Sequence, residues 1–195
     1  MIYDVSNKKS LDIAAQLILN GKIIIYPTDT LYGFGVDATN SSAINKLNIL
    51  KQRVQTYSVI VKSVNMINDY AKISLEQKSI LNQYLPGLYT FILRKDKSNL
   101  SHLISQNLKT LGIRIPNHHF PCNLVDLIKR PLVTTSVNKH NFQPLRSIER
   151  IKITFPKIDI FKDKNINFNS RGSTIIDLTS TSNKVLRQGD GVHIL

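Results

Sequence analysis

The sequence has one cysteine, no tryptophan and half as many acidic residues as basic ones, 13 Asp and Glu against 26 Lys and Arg in 195 residues. A single thiol, Cys122, can neither close an intramolecular disulfide nor build a thiolate zinc cluster. Secreted disulfide scaffolds and zinc ribbons are thereby set aside, and a reducing compartment is the default. Eight glycines and seven prolines are too few for a collagen-like or linker-like chain. Residues 1–21 hold Asp4 and Asp12 and no leader-like apolar stretch, and the apolar run Ile23–Tyr26 falls far short of the roughly 20 residues that cross a bilayer. A cytoplasmic protein with no membrane attachment is expected.

What the chain does have is 42% apolar and 20% charged residues, enough to bury one sizeable core and too little charge for intrinsic disorder. The formal net charge of +13 has two readings. It fits a nucleic-acid or polyanion partner through phosphate neutralisation. It also fits compositional drift, because 26 Ile, 18 Asn and 18 Lys share A/T-rich codons. Charge alone does not choose between them.

Spacing and caps predict alternating helices and strands. Leu11, Ala14, Ala15 and Ile18 recur at three- and four-residue steps, which predicts a helix over 10–20, capped by Ser10 and stopped by Asn20-Gly21. A strand over 22–26 ends at Pro27, residues 28–39 with Gly33 and Gly35 read as a loop, and Asn40-Ser41-Ser42 opens a second helix that faces Ala43, Ile44, Leu47 and Leu50 inward. Lys51 and Arg53 then fall just past its end. Strands follow at 58–61, 88–93, 111–115 and 132–135, with a helix from the capping box Ser74-Leu75-Glu76-Gln77 to Leu85 and another over 121–129. The segment 136–146 reads as a polar loop and 147–172 as less regular, before strands at 173–178 and 185–187. No repeat or linker divides the chain, so one α/β domain over 1–195 with a mixed sheet is expected.

Several polar groups fall at the ends of these strands, where α/β sheets bind ligands. In Tyr26-Pro27-Thr28-Asp29-Thr30-Leu31-Tyr32-Gly33-Phe34-Gly35, glycines allow close backbone approach and hydroxyls offer hydrogen bonds, although a tight turn with capping hydroxyls is the plainer reading of this stretch alone. It is not a Walker A loop, since Lys-Ser/Thr does not follow the glycines. Lys51 and Arg53, on one side of an extended segment, would clamp a polyphosphate or else form a solvated surface pair. Thr134-Thr135-Ser136-Val137-Asn138 suits phosphate or metal-water contacts or an ordinary polar turn. Arg114 stands inside the apolar run 111–116, where a guanidinium is costly without an anion supplied by protein or ligand.

Absences inform here too. His102, His118, His119, His140 and His193 offer no helical metal-ligand pair and no HExxH, and His118 and His119 read as surface loop residues. There is no nucleophile elbow, and Cys122 lies beside no obvious base. Many anion- and hydroxyl-binding groups without a covalent nucleophile fit a nucleotide-using enzyme that works by positioning and charge neutralisation.

Taken together, the stretches 26–35, Lys51-Gln52-Arg53, Pro86-Gly87-Leu88-Tyr89-Thr90-Phe91-Ile92-Leu93, Gly112-Ile113-Arg114-Ile115-Pro116, Thr135-Ser136-Val137-Asn138, Ser173-Thr174-Ile175-Ile176-Asp177 and Leu186-Arg187-Gln188-Gly189 resemble, in this order, the YrdC-like family, the L-threonylcarbamoyladenylate synthases. The length is similar to that of its short single-domain bacterial form. The resemblance implies a twisted open mixed sheet with flanking helices and a basic concave cavity. It implies the conversion of ATP, L-threonine and bicarbonate to threonylcarbamoyl-AMP and pyrophosphate, with the product passed to a separate threonylcarbamoyl transferase complex that modifies tRNA. It assigns Lys51, Arg53, Thr110, Ser136, Asn138 and Arg187 to ATP, with Lys51 and Arg53 catalytic, and Thr30, Arg114, Thr134 and Ser173 to threonine. No protein metal site is implied, since Mg²⁺ arrives with ATP. The chain departs from the family at Val54, Tyr57 and Ser58, where Pro, a second Lys or similar and another Pro usually follow Lys-x-Arg. It departs again at Lys62, where some members have His, and at His140-Asn141, where Ser-Gly is usual.

Two other functions compete. A non-catalytic relative using a basic concave face on double-stranded RNA or tRNA would account for the net charge. Carbamoyl-adenylate formation for hydrogenase maturation belongs to multidomain proteins with zinc-finger cysteines, which one cysteine in 195 residues does not supply.

Overall fold

The computed structural model describes residues 1–165, 169–180 and 182–192. The short apolar runs of the sequence become strands β1 (Ile2–Asp4), β2 (Ile24–Tyr26), β3 (Gly33–Gly35), β4 (Ser58–Ile60), β5 (Ala71–Lys72), β6 (Tyr89–Lys95), β7 (Thr110–Arg114), β8 (Leu132–Ser136), β9 (Asp159–Lys162), β10 (Thr174–Asp177) and β11 (Lys184–Arg187). The helices are α1 (Lys8–Leu19), α2 (Ser41–Lys51), α3 (Val64–Ile67), α4 (Leu75–Tyr84), α5 (His119–Ile128) and α6 (Ile148–Thr154). Among the described residues the strands form one mixed sheet in the order β1-β9-β2-β3-β8-β4-β7-β6-β10-β11, with β5 beside β6. This is the expected α/β class with a mixed sheet. His193 lies outside the described residues.

Local signals set most helix ends. Ser74 and Gln77 close a reciprocal capping box at the start of α4, as the sequence predicts. The first helix begins earlier than its spacing implies, because Asn7 rather than Ser10 caps it, and Ser10 Oγ donates to the Asp4 carbonyl instead. His118 and His119 do not sit in a plain surface loop: His118 is half-buried and caps α5, accepting at Nδ1 from the Phe120 amide with its Nε2 3.1 Å from Asp163, while His119 is exposed, as expected, but opens the helix.

Two segments differ from their sequence reading. Gly33 and Gly35 form a strand rather than a loop, paired with β2, and at Gly35 the buried Tyr26 ring of β2 fills the space a side chain would take. A Cβ at Gly35 would stand 2.6 Å from that ring. Residues 147–172 contain α6, capped by Ser147, and β9, which inserts in parallel between β1 and β2 with Ile160 and Phe161 buried. Both β9 partners are more than a hundred residues away in sequence, so no local pattern announces the pairing.

Successive residues of a strand point to opposite faces, and the two faces of this sheet differ. On one, Phe34, Val59, Phe91, Ile113 and Val133 pack with Ala43, Ile44 and Leu47 of α2 in the larger core. On the other, Ile24, Tyr26, Ile60, Leu132 and Phe161 pack under α1 and α5, through Ala14, Ile18, Phe120 and Leu124. Two residues along from Ile60 and Leu132, that second face continues as Ser58 and Thr134, which are paired across the sheet. Beyond α1 and α5 the face is therefore uncovered and lined with small polar residues.

The Gly35→Ala variant is expected to lose about 1–3 kcal/mol of stability by overpacking against Tyr26. A urea midpoint equal to that of the unaltered protein would show that the ring has room to move.

Candidate functional site

A cavity of about 480 Å³ occupies this uncovered face. Its floor is a rung of small side chains in register: Thr134 opposite Ser58, Ser58 opposite Gly112, and Gly112 opposite Ile92. Gly112 is required there, since a Cβ would come within 2.5 Å of Ser58 Oγ. Alternation along β7 sends Thr110, Gly112 and Arg114 to the cavity and Leu111 and Ile113 to the core. That is how an arginine comes to stand in an apolar run. The walls come from the Thr28–Gly33 segment, from residues 53–57 after α2, and from Gly172, Ser173, Ile175, Leu186 and Arg187 of the β10–β11 region.

The lining contains Arg53, Arg114, Arg171 and Arg187 and, among the described residues, no Asp or Glu. The four cations are held differently. Arg114 is paired with a protein carboxylate: its Nη2 donates to Asp29 Oδ1 at 2.7 Å, with only 8% and 6% of the two side chains exposed. Its Nη1 donates to Thr30 Oγ1 at 3.3 Å. Asp29 in turn accepts from the Asn117 amide at 2.8 Å, yet burial outweighs the Arg114 charge and moves its carboxyl above the usual range. Arg187 donates through Nη2 to the Ser173 carbonyl at 2.7 Å, and burial together with the Arg114 charge pulls its pKa below the usual value. Like charges are thus brought near one another on the cavity wall. Arg171 lies at the mouth, 68% exposed and 3.9 Å from Asp190. The Nε groups of Arg53 and Arg114 are buried without a hydrogen-bond partner. An anion entering here would meet positive charge on guanidinium groups whose hydrogen-bonding capacity is not fully used within the protein.

Hydroxyls complete the surface. Ser173 Oγ and Thr90 Oγ1 share a hydrogen bond of 2.7 Å, Thr28 and Thr30 share one of 3.1 Å, and Gln55 reaches Thr135 Oγ1 at 3.3 Å. No group of three His, Cys, Asp or Glu side chains that could hold a metal occurs among the described residues.

Of the residues singled out from the sequence, Thr30, Arg53, Thr110, Arg114, Thr134, Ser136, Ser173 and Arg187 all line this one cavity. Lys51 and Asn138 do not. The reading of Lys51 and Arg53 as an extended same-side pair is corrected: Lys51 ends α2, Gln52 turns into the left-handed region at φ 57°, and the two side chains part. Lys51 is fully buried behind Ser136, and Asn138 lies beside it. Among the positions that depart from the family pattern, Tyr57 is buried with its hydroxyl on Asn48 Oδ1, Val54 is exposed, and Lys62 pairs with Asp126 at 2.5 Å. Asp29, Arg171, Thr90 and Gln55 received no role from the sequence. Only Asp29 left a signal, as the acid that a buried arginine requires.

Comparison with known proteins agrees with this fold. A threonylcarbamoyl-AMP synthase of Pseudoalteromonas translucida is 28% identical over 192 residues, covering 93% of this chain and 99% of its own. A Methanocaldococcus jannaschii protein provisionally given the same enzyme name is 34% identical over 185 residues, 93% of this chain and 86% of its own. The crystal structure of P. abyssi Sua5 complexed with L-threonine superposes with a TM-score of 0.90 at 27% identity. It covers 97% of this chain, which spans only 57% of that longer protein. A family model described as "Telomere recombination", which groups the Sua5, YciO and YrdC proteins, matches residues 16–189, and the chain belongs to that family.

Proposed function

We propose that this chain makes threonylcarbamoyl-AMP and pyrophosphate from ATP, L-threonine and bicarbonate, as a nucleotidyltransferase of tRNA threonylcarbamoyladenosine synthesis. The observation that carries the reading is the cavity itself: four guanidinium groups, a floor with small hydroxyl residues and, among the described residues, no acidic lining side chain. Such a lining repels no phosphate or carboxylate, and it offers directed donors where charge accumulates. The names of the relatives and the threonine complex of the Sua5 protein support the same assignment.

In this reading the threonine carboxylate meets Arg114, which Asp29 holds in orientation, with Thr30, Thr134 and Ser173 around the rest of the amino acid. Arg53, Thr110, Ser136 and Arg187 face the nucleotide. The threonine nitrogen forms a bond to the carbon of bicarbonate with loss of water, giving a carbamate. A carbamate oxygen then attacks the α-phosphorus, the bond to the β-phosphate breaks, and pyrophosphate leaves. Mg²⁺ arrives as part of the ATP substrate and neutralises charge on its phosphate oxygens. Charge developing on the phosphoryl group and on pyrophosphate faces Arg53 and Arg187, so no protein nucleophile is needed. Transfer onward to a separate tRNA-modifying complex, in the cytoplasm, completes the proposal.

Purified protein incubated with ATP, bicarbonate and each amino acid in turn is expected to give a carbamoyl-adenylate by mass spectrometry with threonine. Absence of product with every amino acid would sink the catalytic reading. The Arg53→Ala variant is expected to lower threonine-dependent pyrophosphate release by roughly 100-fold, the scale of one lost donor to developing charge. Unchanged turnover would remove Arg53 from the site. The Asp29→Asn variant leaves a buried guanidinium without its counter-charge, so about 3 kcal/mol of stability should be lost in urea titrations. The KM for threonine should rise in the surviving folded protein, while a variant as stable as the original would show that the pair is energetically idle.

A further inference from the structure

Lys51 is a charged side chain with 0% exposure, and no carboxylate among the described residues is paired with it. Burial, aided by the Arg53 charge, pulls its pKa down to about 7. An ammonium in that position has to be solvated by the protein, and it is. Its Nζ donates to the Ser136 carbonyl at 2.6 Å, to the Asn138 carbonyl at 3.1 Å and to Asn138 Oδ1 at 2.9 Å. An ammonium has three N–H donors, and three oxygens take them. The residue also ends α2, where the helix dipole favours a cation, and its Nζ stands 5.3 Å from the centre of the Phe34 ring.

These bonds cross from the end of one element to the end of another. Backbone contacts reinforce the junction, since the His140 amide donates to the Lys51 carbonyl at 3.1 Å and the Leu145 amide to the Val137 carbonyl at 2.8 Å. Asn138 Oδ1 takes a second bond from Ser136 Oγ at 2.8 Å, and Asn138 Nδ2 donates to the Phe142 carbonyl at 2.6 Å. Ser136 and Arg53, by contrast, both reach the cavity. A lysine with every donor engaged and no exposed surface has nothing left to offer a phosphate.

We propose that Lys51 is a positioning residue: its ammonium ties the end of α2 to the Ser136–Asn138 end of β8, and so fixes Arg53 and Ser136 relative to one another without touching the nucleotide. The effect on ATP rests on the function proposed above; the tether does not. The Lys51→Met variant keeps the apolar stem and removes all three donors. In the absence of nucleotide, amide hydrogen exchange over residues 136–146 should then accelerate by roughly tenfold or more, the scale of a hydrogen bond to a charged group. The KM for ATP should rise by a similar factor of roughly tenfold while the KM for threonine stays near its original value. Unchanged exchange over 136–146 together with lost ATP affinity would overturn the tether in favour of a direct phosphate ligand.

The unaltered protein provides a measurement that does not depend on the variant folding. Three hydrogen-bonded, buried ammonium protons exchange slowly, so the Lys51 Nζ group should give a ¹⁵N resonance distinct from those of surface lysines, and ATP should leave it in place. Exchange as fast as at surface lysines, or a resonance that moves on adding ATP, overturns the proposal. Failure of the function alone has a different signature: no adenylate product with any amino acid, alongside a slow Lys51 ammonium and a loosened 136–146 segment in Lys51→Met.

Discussion

A strand shows its residues alternately to its two faces, and in this sheet one of those faces has to serve as both core and binding surface. Ile60 and Leu132 belong to the core under α1 and α5, while Ser58 and Thr134, two residues away on the same strands, belong to the cavity. The change from apolar to polar lies where the helical cover ends. Much of the site depends on this, because the opposite face of the same strands is given over to the larger core with Ala43, Ile44 and Leu47 of α2. The floor is thereby rigid, and small residues such as Gly112 and Ser58 set its depth.

Positive charge is then distributed by three separate means. Arg114 is compensated in advance by Asp29, so it presents direction more than net charge. Lys51 is solvated by carbonyl oxygens and stays out of the cavity. Arg53, Arg171 and Arg187 keep donors or charge uncompensated by any lining acid. The cavity wall is therefore uneven: Arg114 is already paired with a carboxylate, Arg187 is engaged by the Ser173 carbonyl, and Arg53 has a buried Nε without a partner.

Much of this was legible in the sequence where the signal was local or where chemistry demanded a partner. The capping box at Ser74, a strand around 111–115 and the need of Arg114 for an anion all hold in the structure. The identity of that anion was not legible: nothing in the linear order says that Asp29, eighty-five residues earlier, supplies it. Lys51 and Arg53 were misjudged geometrically because a single left-handed residue, Gln52, decides where each side chain goes, and glutamine gives no warning of that conformation. Residues 147–172 looked irregular because β9 is defined by partners at the far end of the chain, and Gly33 and Gly35 looked like a loop because the Tyr26 ring that fills the space at Gly35 belongs to another strand.

Arg187 stands on β11, which ends the order of described strands and is hydrogen-bonded on one side only, to β10. Its guanidinium grips the Ser173 carbonyl at the start of β10, so the side chain fastens the margin of the sheet to its neighbour while also facing the cavity. Were an anion to draw the guanidinium away from that carbonyl, occupancy of the cavity and closure of the sheet margin would share one free energy. A ligand that draws on Arg187 changes how firmly the last strand is held, and a loosened last strand weakens the ligand by the same factor.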